Sequence, residues 1–150
     1  MDDHHDLDPA RCAIVMLDAL PALLDARPAL TAAITALTTA GRAAGATVCW
    51  IKPAGSADAT IVDVLDSDPA DWVAHKAGPS AFAAGNCSLP DWLTAEGLDT
   101  VILGGGAPAV AASARDAAAG GFRVIVCTDA TADTAAGDGR AAEIIARLAR

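Results

Sequence analysis

Thr100-Val101-Ile102-Leu103-Gly104-Gly105-Gly106-Ala107-Pro108-Ala109-Val110 is the stretch on which the reading of this chain turns. A short apolar run rich in β-branched residues meets three glycines. An alanine-rich segment then extends to Ala119, where Gly120-Gly121 closes it. Such a succession spells strand, tight turn and buried helix. A strand that feeds a helix in this way is half of a parallel β-α-β unit.

The same alternation recurs on both sides of that stretch. Besides Thr100 to Leu103, strands are predicted at Cys12 to Leu17, Thr47 to Ile51, Trp72 to His75 and Arg123 to Cys127. Each is nearly all apolar, as a strand covered on both faces requires. Leu30, Ile34 and Leu37 recur at helical spacing, with Gly41 or Gly45 as the stop. Ser88-Leu89-Pro90-Asp91 has the spacing of a capping box with an early proline, and Gly97 is placed to end that helix. Two further helices are predicted, Ala109 to Ala119 and Ala141 to Leu148, the last with Ile144, Ile145 and Leu148 toward the sheet. The fold class is therefore α/β: a single-domain, three-layer fold over residues 1–150, with a mainly parallel sheet of about five strands flanked by helices. The loosest stretches are a flexible N-terminal arm over residues 1–9, then Pro53 to Ala59 and Thr131 to Gly139.

Composition bounds the function. A chain of 150 residues that is 53% hydrophobic and 19% charged can bury one sizeable core but not two. Its net charge of −9 comes without any Lys/Arg cluster, which argues against nucleic acid and membrane surfaces as partners. Met1-Asp2-Asp3-His4-His5-Asp6 is the opposite of a basic, then apolar, secretory start, so a cytoplasmic location is expected. Cys12, Cys49, Cys87 and Cys127 form no close pair with metal-ligand spacing, and three of them fall inside strand-like runs. They read as small core residues in a reducing compartment. His4 and His5 read as solvated residues on a charged arm. Gly104 to Gly106 lacks the full spacing of a dinucleotide loop.

In an open parallel sheet, ligands bind beyond the carboxyl ends of the strands. Three features fall there: Asp18 after the first strand, Lys76 after the third, and the turn from Gly104 to Ala109, which opens a helix. One edge of the sheet thus carries a carboxylate, an ammonium and a helix N-terminus. A lysine beside an aspartate favours the ionised carboxylate, whereas apolar burial favours the protonated one, and their balance decides between base and acid. A plain buried ion pair joining two strand ends explains the same two residues. His75 should point away from Lys76 by strand alternation.

Three segments, Ala13-Ile14-Val15-Met16-Leu17-Asp18, His75-Lys76-Ala77-Gly78-Pro79-Ser80-Ala81-Phe82 and Val110-Ala111-Ala112-Ser113-Ala114-Arg115-Asp116-Ala117, resemble in this order the isochorismatase-like cysteine hydrolase superfamily. The resemblance implies a catalytic triad of Asp18, Lys76 and a cysteine at the start of the helix after the fourth strand. Counting back from Ser113 puts the cysteine position at Ala109, where there is no nucleophile. The nearest cysteine, Cys127, belongs to another element. Substrate-binding positions carried over in the same way are Gly105, Gly106, Ala107, Pro108, Ser80 and Phe82, with a cis peptide at Ala107-Pro108. From the residues alone, Ser80 equally caps its own turn and Phe82 equally fills the core. The chain departs from the family pattern in a shorter loop after Asp18 and in lacking the last strand of the usual sheet. The paired histidines and carboxylate of the metal-containing nicotinamidase branch are also absent, so neither a metal nor a cofactor is implied.

Without a thiolate the family's covalent amide hydrolysis has no nucleophile. Two expectations follow from the resemblance. One is a cysteine-independent vinyl-ether hydrolase of the isochorismatase branch, with Asp18 as general acid and Lys76 as the orienting or anion-binding residue. The other is a pseudoenzyme that kept the fold as a binding or scaffolding protein. The partner in either case is a small, anionic molecule, which the helix N-terminus behind Gly104 to Gly106 would suit. Fold analogy implies a homo-oligomer, with the exposed face of the alanine-rich helix suited to close packing.

Overall fold

The structure is a computed structural model that describes residues 7–19, 24–54, 70–132 and 137–148. Five strands, β1 (Cys12–Leu17), β2 (Thr47–Pro53), β3 (Trp72–Lys76), β4 (Thr100–Gly105) and β5 (Arg123–Thr131), form one sheet in the order β3-β2-β1-β4-β5. Every pairing is parallel. Helices α1 (Pro28–Ala44), α2 (Leu89–Ala95), α3 (Ala107–Ala119) and α4 (Ala141–Leu148) cover its two faces. The α/β class, the parallel five-stranded sheet and the three layers read from the sequence are thereby observed.

Alternate residues of the central strands serve two separate cores, because successive side chains leave opposite faces of a strand. Ile14, Met16 and Trp50 pack with Ile34 and Leu37 of α1 and Ile144 and Leu148 of α4. Val15, Leu17, Ile51 and Leu103 pack with Leu89 and Leu93 of α2 and Val110 and Ala117 of α3. β1 and β4 are buried throughout. β3 is not: Val73 and His75 are exposed while Lys76 is buried. Its apolar composition suggested cover on both sides, but it lies at the sheet edge, so the two-sided reading fails there. The outward His75 follows strand alternation as expected.

Several boundaries differ from the sequence reading for local reasons. The arm ends early, since Leu7 is buried and Asp8 caps a 3-10 turn over Pro9–Arg11 by accepting from Ala10 N–H. Residues 1–6 lie outside the described residues. Pro53 belongs to β2, and β5 runs on to Thr131 past a register shift at Leu103/Gly105, so neither loose stretch starts where composition placed it. The rest of Pro53 to Ala59 beyond Ala54, and residues 133–136, lie outside the described residues. α1 stops at Gly45, whose φ of 104° is left-handed. Gly41 sits inside α1, where a Cβ would overlap Ile14 Cδ1, so it serves close helix-sheet packing and not termination. Ser88 adopts helical dihedrals and makes no side-chain cap bond, so the expected capping box is not formed. α3 begins at Ala107, two residues before the predicted start, because Pro108 needs no donor in a first turn.

One polar lock holds the layers in place away from the strand ends. Asp71, just before β3, accepts from Arg42 Nε at 3.0 Å and Nη2 at 2.6 Å, and from Trp50 Nε1 at 2.9 Å. Its side chain is 3% exposed, so α1, β2 and the entry to β3 share one buried carboxylate.

Candidate active site

Asp18 leaves β1 with a φ of 53°, in the left-handed region that non-glycine residues seldom occupy. Its N–H donates to the Ile51 carbonyl at 2.9 Å, which keeps it in line with β2 at the carboxyl edge of the sheet. Lys76, the last residue of β3, reaches it from the face shared with α2 and α3. Lys76 Nζ lies 3.0 Å from Oδ1 and 3.1 Å from Oδ2 of Asp18, and it also donates to the Gly78 carbonyl at 3.0 Å. Oδ1 is buried and accepts no directed hydrogen bond, so its link to the ammonium is electrostatic. The lysine side chain is 3% exposed and the aspartate 27%. The carboxylate is thus the part of the pair that solvent or a ligand can reach.

The glycine turn brings a third element to the pair. Gly105 has a φ of 116°, and a Cβ there would overlap the Leu17 carbonyl oxygen. Only glycine lets β4 end so close to β1. Gly106 N–H donates to Leu17 O at 2.8 Å, and a Cβ on Gly106 would stand 3.5 Å from Asp18 Cβ. The turn is therefore pressed against Asp18. α3 starts there; Val110 N–H makes the first bond back to Gly106 O, at 2.9 Å. By helix geometry the amides of Ala107 and Ala109 have no intrahelical acceptor, and Pro108 has no N–H. Ala109 is buried, and it offers only a methyl group in the first turn of α3. No peptide bond among the described residues is cis, so the expected cis Ala107-Pro108 bond is replaced by a trans proline in a helical first turn.

Ser80 and Phe82 sit differently from the rest. Ser80 Oγ accepts from Phe82 N–H at 3.0 Å, the turn-capping alternative of the two read from sequence. Phe82 meets the Phe122 ring edge-on at 5.4 Å, beyond the far end of α3. Both side chains are spent inside the 77–86 loop and under α3. Two residues that sequence reasoning left without this role hold that loop: Ser113 Oγ accepts from Ala81 N–H, and Asn86 Nδ2 donates to Ser80 O, each at 3.0 Å. A lone serine on the buried side of an alanine-rich helix was the available signal. A groove of about 250 Å³ lined by Arg11, Thr94, Leu98, Asp99 and Phe122 opens at the opposite edge of the sheet, remote from Asp18. Among the described residues no group of three or more His, Cys, Asp or Glu side chains is placed to hold a metal, and no helix is long and apolar enough to cross a membrane.

A parallel sheet in this order, with an aspartate-lysine pair and a glycine turn at one carboxyl edge, defines a hydrolase-like α/β domain. The chain belongs to the isochorismatase family, whose domain model matches residues 12–148. It is similar in structure to a cysteine hydrolase from Pseudomonas syringae pv. phaseolicola (TM-score 0.81, 18% identity, 95% of this chain and 94% of that one). An isochorismatase family protein from Burkholderia thailandensis superposes with a TM-score of 0.77 at 22% identity over 97% and 98% of the two chains. N-carbamoylsarcosine amidase from Thermoplasma acidophilum gives 0.71 at 22% identity over 84% and 86%. No curated protein matches the sequence significantly.

Proposed function

We propose that this protein is a cysteine-independent hydrolase of vinyl ethers, acting on a small anionic substrate at Asp18. The observation that carries the reading is the state of Asp18: a left-handed aspartate at the strand edge, touched by a buried lysine and by the glycine turn, with a methyl group at Ala109. Strain of this kind persists where the surroundings hold it, and it concentrates at reactive sites. In the reaction, Asp18 as a carboxylic acid gives its proton to the terminal methylene carbon of the enol ether. The oxygen-bearing carbon becomes an oxocarbenium ion, water adds to it and returns a proton to the carboxylate. The resulting hemiketal breaks its C–O bond to give a keto acid and an alcohol. Lys76 holds the Asp18 side chain in place and stabilises the carboxylate that it becomes when its proton is given to the substrate.

Pyruvate release from isochorismate tests this. The native chain should release pyruvate, and Asp18→Asn should lower the rate by roughly 10²–10⁴-fold, the usual worth of a general acid. Absence of release from the native chain, with the fold intact by circular dichroism, would instead favour the binding-protein reading. Ala109, with no nucleophile, is the observation on that side.

A further inference from the structure

Lys76 carries three N–H donors into a place where its side chain retains 3% of its surface, so a hydrogen left without an acceptor there is costly. Asp18 supplies the counter-charge. Among the described residues, the Gly78 carbonyl at 3.0 Å is the one acceptor of a directed hydrogen bond from Nζ besides that carboxylate. A flexible four-carbon stem does not choose by itself where its head stops, so the position of this carbonyl matters. Packing does not hold it, since Ala77 and Pro79 on either side are exposed. Asn86 does. Ala77 N–H donates to the Asn86 carbonyl at 2.8 Å, Asn86 N–H to the Ala83 carbonyl at 3.1 Å, and Asn86 Nδ2 to the Ser80 carbonyl at 3.0 Å. The loop over residues 77–86 is thereby closed at Asn86. The Asn86 amide also lies on Gly78, where a Cβ would stand 2.7 Å from Nδ2. Glycine at position 78 leaves the room which that amide occupies.

We propose that Asn86 is a positioning residue for the Asp18–Lys76 pair. Its amide, bound to the Ser80 carbonyl and seated on Gly78, fixes the Gly78 carbonyl against Lys76 Nζ, and the ammonium thereby stops at Asp18. The catalytic consequence rests on the reading of Asp18 as the proton donor, but the placement of the ammonium does not. Alanine at position 86 keeps the two backbone bonds and loses the amide, so the loop stays closed while the Gly78 carbonyl is released. Aspartate keeps the size but sets an acceptor against the Ser80 carbonyl. The attachment of the loop to the core does not depend on Asn86: Ala81 and Phe82 are buried, and Ser113 of α3 accepts from Ala81 N–H.

The chain holds two lysines, Lys52 and Lys76, so NMR of the ammonium groups in full-length protein labelled at lysine nitrogen has two signals to assign, and Lys76→Arg removes one of them. In the native chain Lys76 should give a protected, slowly exchanging signal. Asn86→Ala and Asn86→Asp should each speed hydrogen exchange at Lys76 Nζ by about tenfold or more, the worth of one hydrogen bond to a charged group. Gly78→Ala, whose methyl group displaces the same amide, should act likewise and add little to Asn86→Ala. Leu93→Ala, which weakens the core from α2, should leave the signal as it is, so lost stability alone does not produce the change. An unprotected Lys76 in the native chain, or protection that persists in both Asn86 variants, overturns the inference. Additive effects of Gly78→Ala and Asn86→Ala do the same, as does failure of both Asn86 variants to fold, which would make Asn86 a residue of the fold alone. With isochorismate as the probe, Asn86→Ala should lower kcat by about tenfold and leave KM within about threefold. If the native chain releases no pyruvate while Asn86→Ala still frees Lys76, the vinyl-ether reading fails and this one stands. An active native chain whose kcat is unchanged in Asn86→Ala does the reverse.

Discussion

Single residues show how burial dominates the chemical behaviour of the thiols. The thiol of Cys49 is pushed up to about 12 by burial, with Asp71 adding to it. Cys127 is raised to about 12 by burial and by its hydrogen bond to Asp129, and Cys12 to about 11, chiefly by burial. The ordinary value is 9.0, so an unfolded chain ionises these thiols first as pH rises. Stability should be unaffected by them below about pH 9 and fall between there and about 12, because the unfolded state then binds fewer protons. Reactivity with Ellman's reagent at pH 8 gives the simpler check. Cys87, partly exposed, should react promptly, and the other three only after denaturant is added. Prompt reaction of more than one thiol would contradict this burial. The sequence announced these cysteines as core residues, since apolar neighbours in a strand run are a local signal. It placed Cys127 at the end of its strand, whereas β5 continues to Thr131 because of a register shift that only the pairing with β4 reveals.

At the scale of elements, the contrast between Asp71 and Asp18 is instructive. Both carboxylates lie next to a strand and both meet a cation, but Asp71 accepts from Arg42 and Trp50 and is closed to solvent. Asp18 retains an oxygen without a directed bond and partial access. Asp71 therefore joins elements, whereas the Asp18 side chain stays partly open at the sheet edge. Replacing Asp71 by Ala would take the carboxylate away from a partly buried guanidinium and an indole N–H, and should cost about 3–5 kcal/mol in urea unfolding. A loss below about 1 kcal/mol would show that the lock is a surface pair. Asp71 stood in the sequence beside Trp72 with nothing to mark it, since its partners lie 29 and 21 residues away. The helix starts were legible only in part: proline and glycine are strong local signs, yet Ser88 failed as a cap because its backbone had already turned helical.

For the whole molecule, two cores share the same strands and so cannot melt independently. Leu93→Ala on the α2/α3 side and Ile144→Ala on the α1/α4 side should each cost about 2–5 kcal/mol. Both should lower one and the same transition, seen alike by far-UV circular dichroism and by tryptophan fluorescence. Non-coincident curves in either variant would mean that the layers come apart separately. The stacked Trp72 and Trp92, 4.6 Å apart, report from one face and Trp50 from the other, so the native fluorescence samples both.

The sequence by itself determined the class, the five strands and the two polar residues that follow the first and third of them, because period, β-branching and glycine punctuation are local and survive without neighbours. It also determined that position 109 has no thiol, which is a matter of identity and not of folding. Only the tertiary structure decided that β3 is an edge, that Ser80 and Phe82 turn inward, and that Ala107-Pro108 is trans in a helix. It alone set Lys76 against Asp18 across 58 residues. Those outcomes depend on which strand becomes whose neighbour, and a strand order of β3-β2-β1-β4-β5 is settled by how the connections cross the sheet.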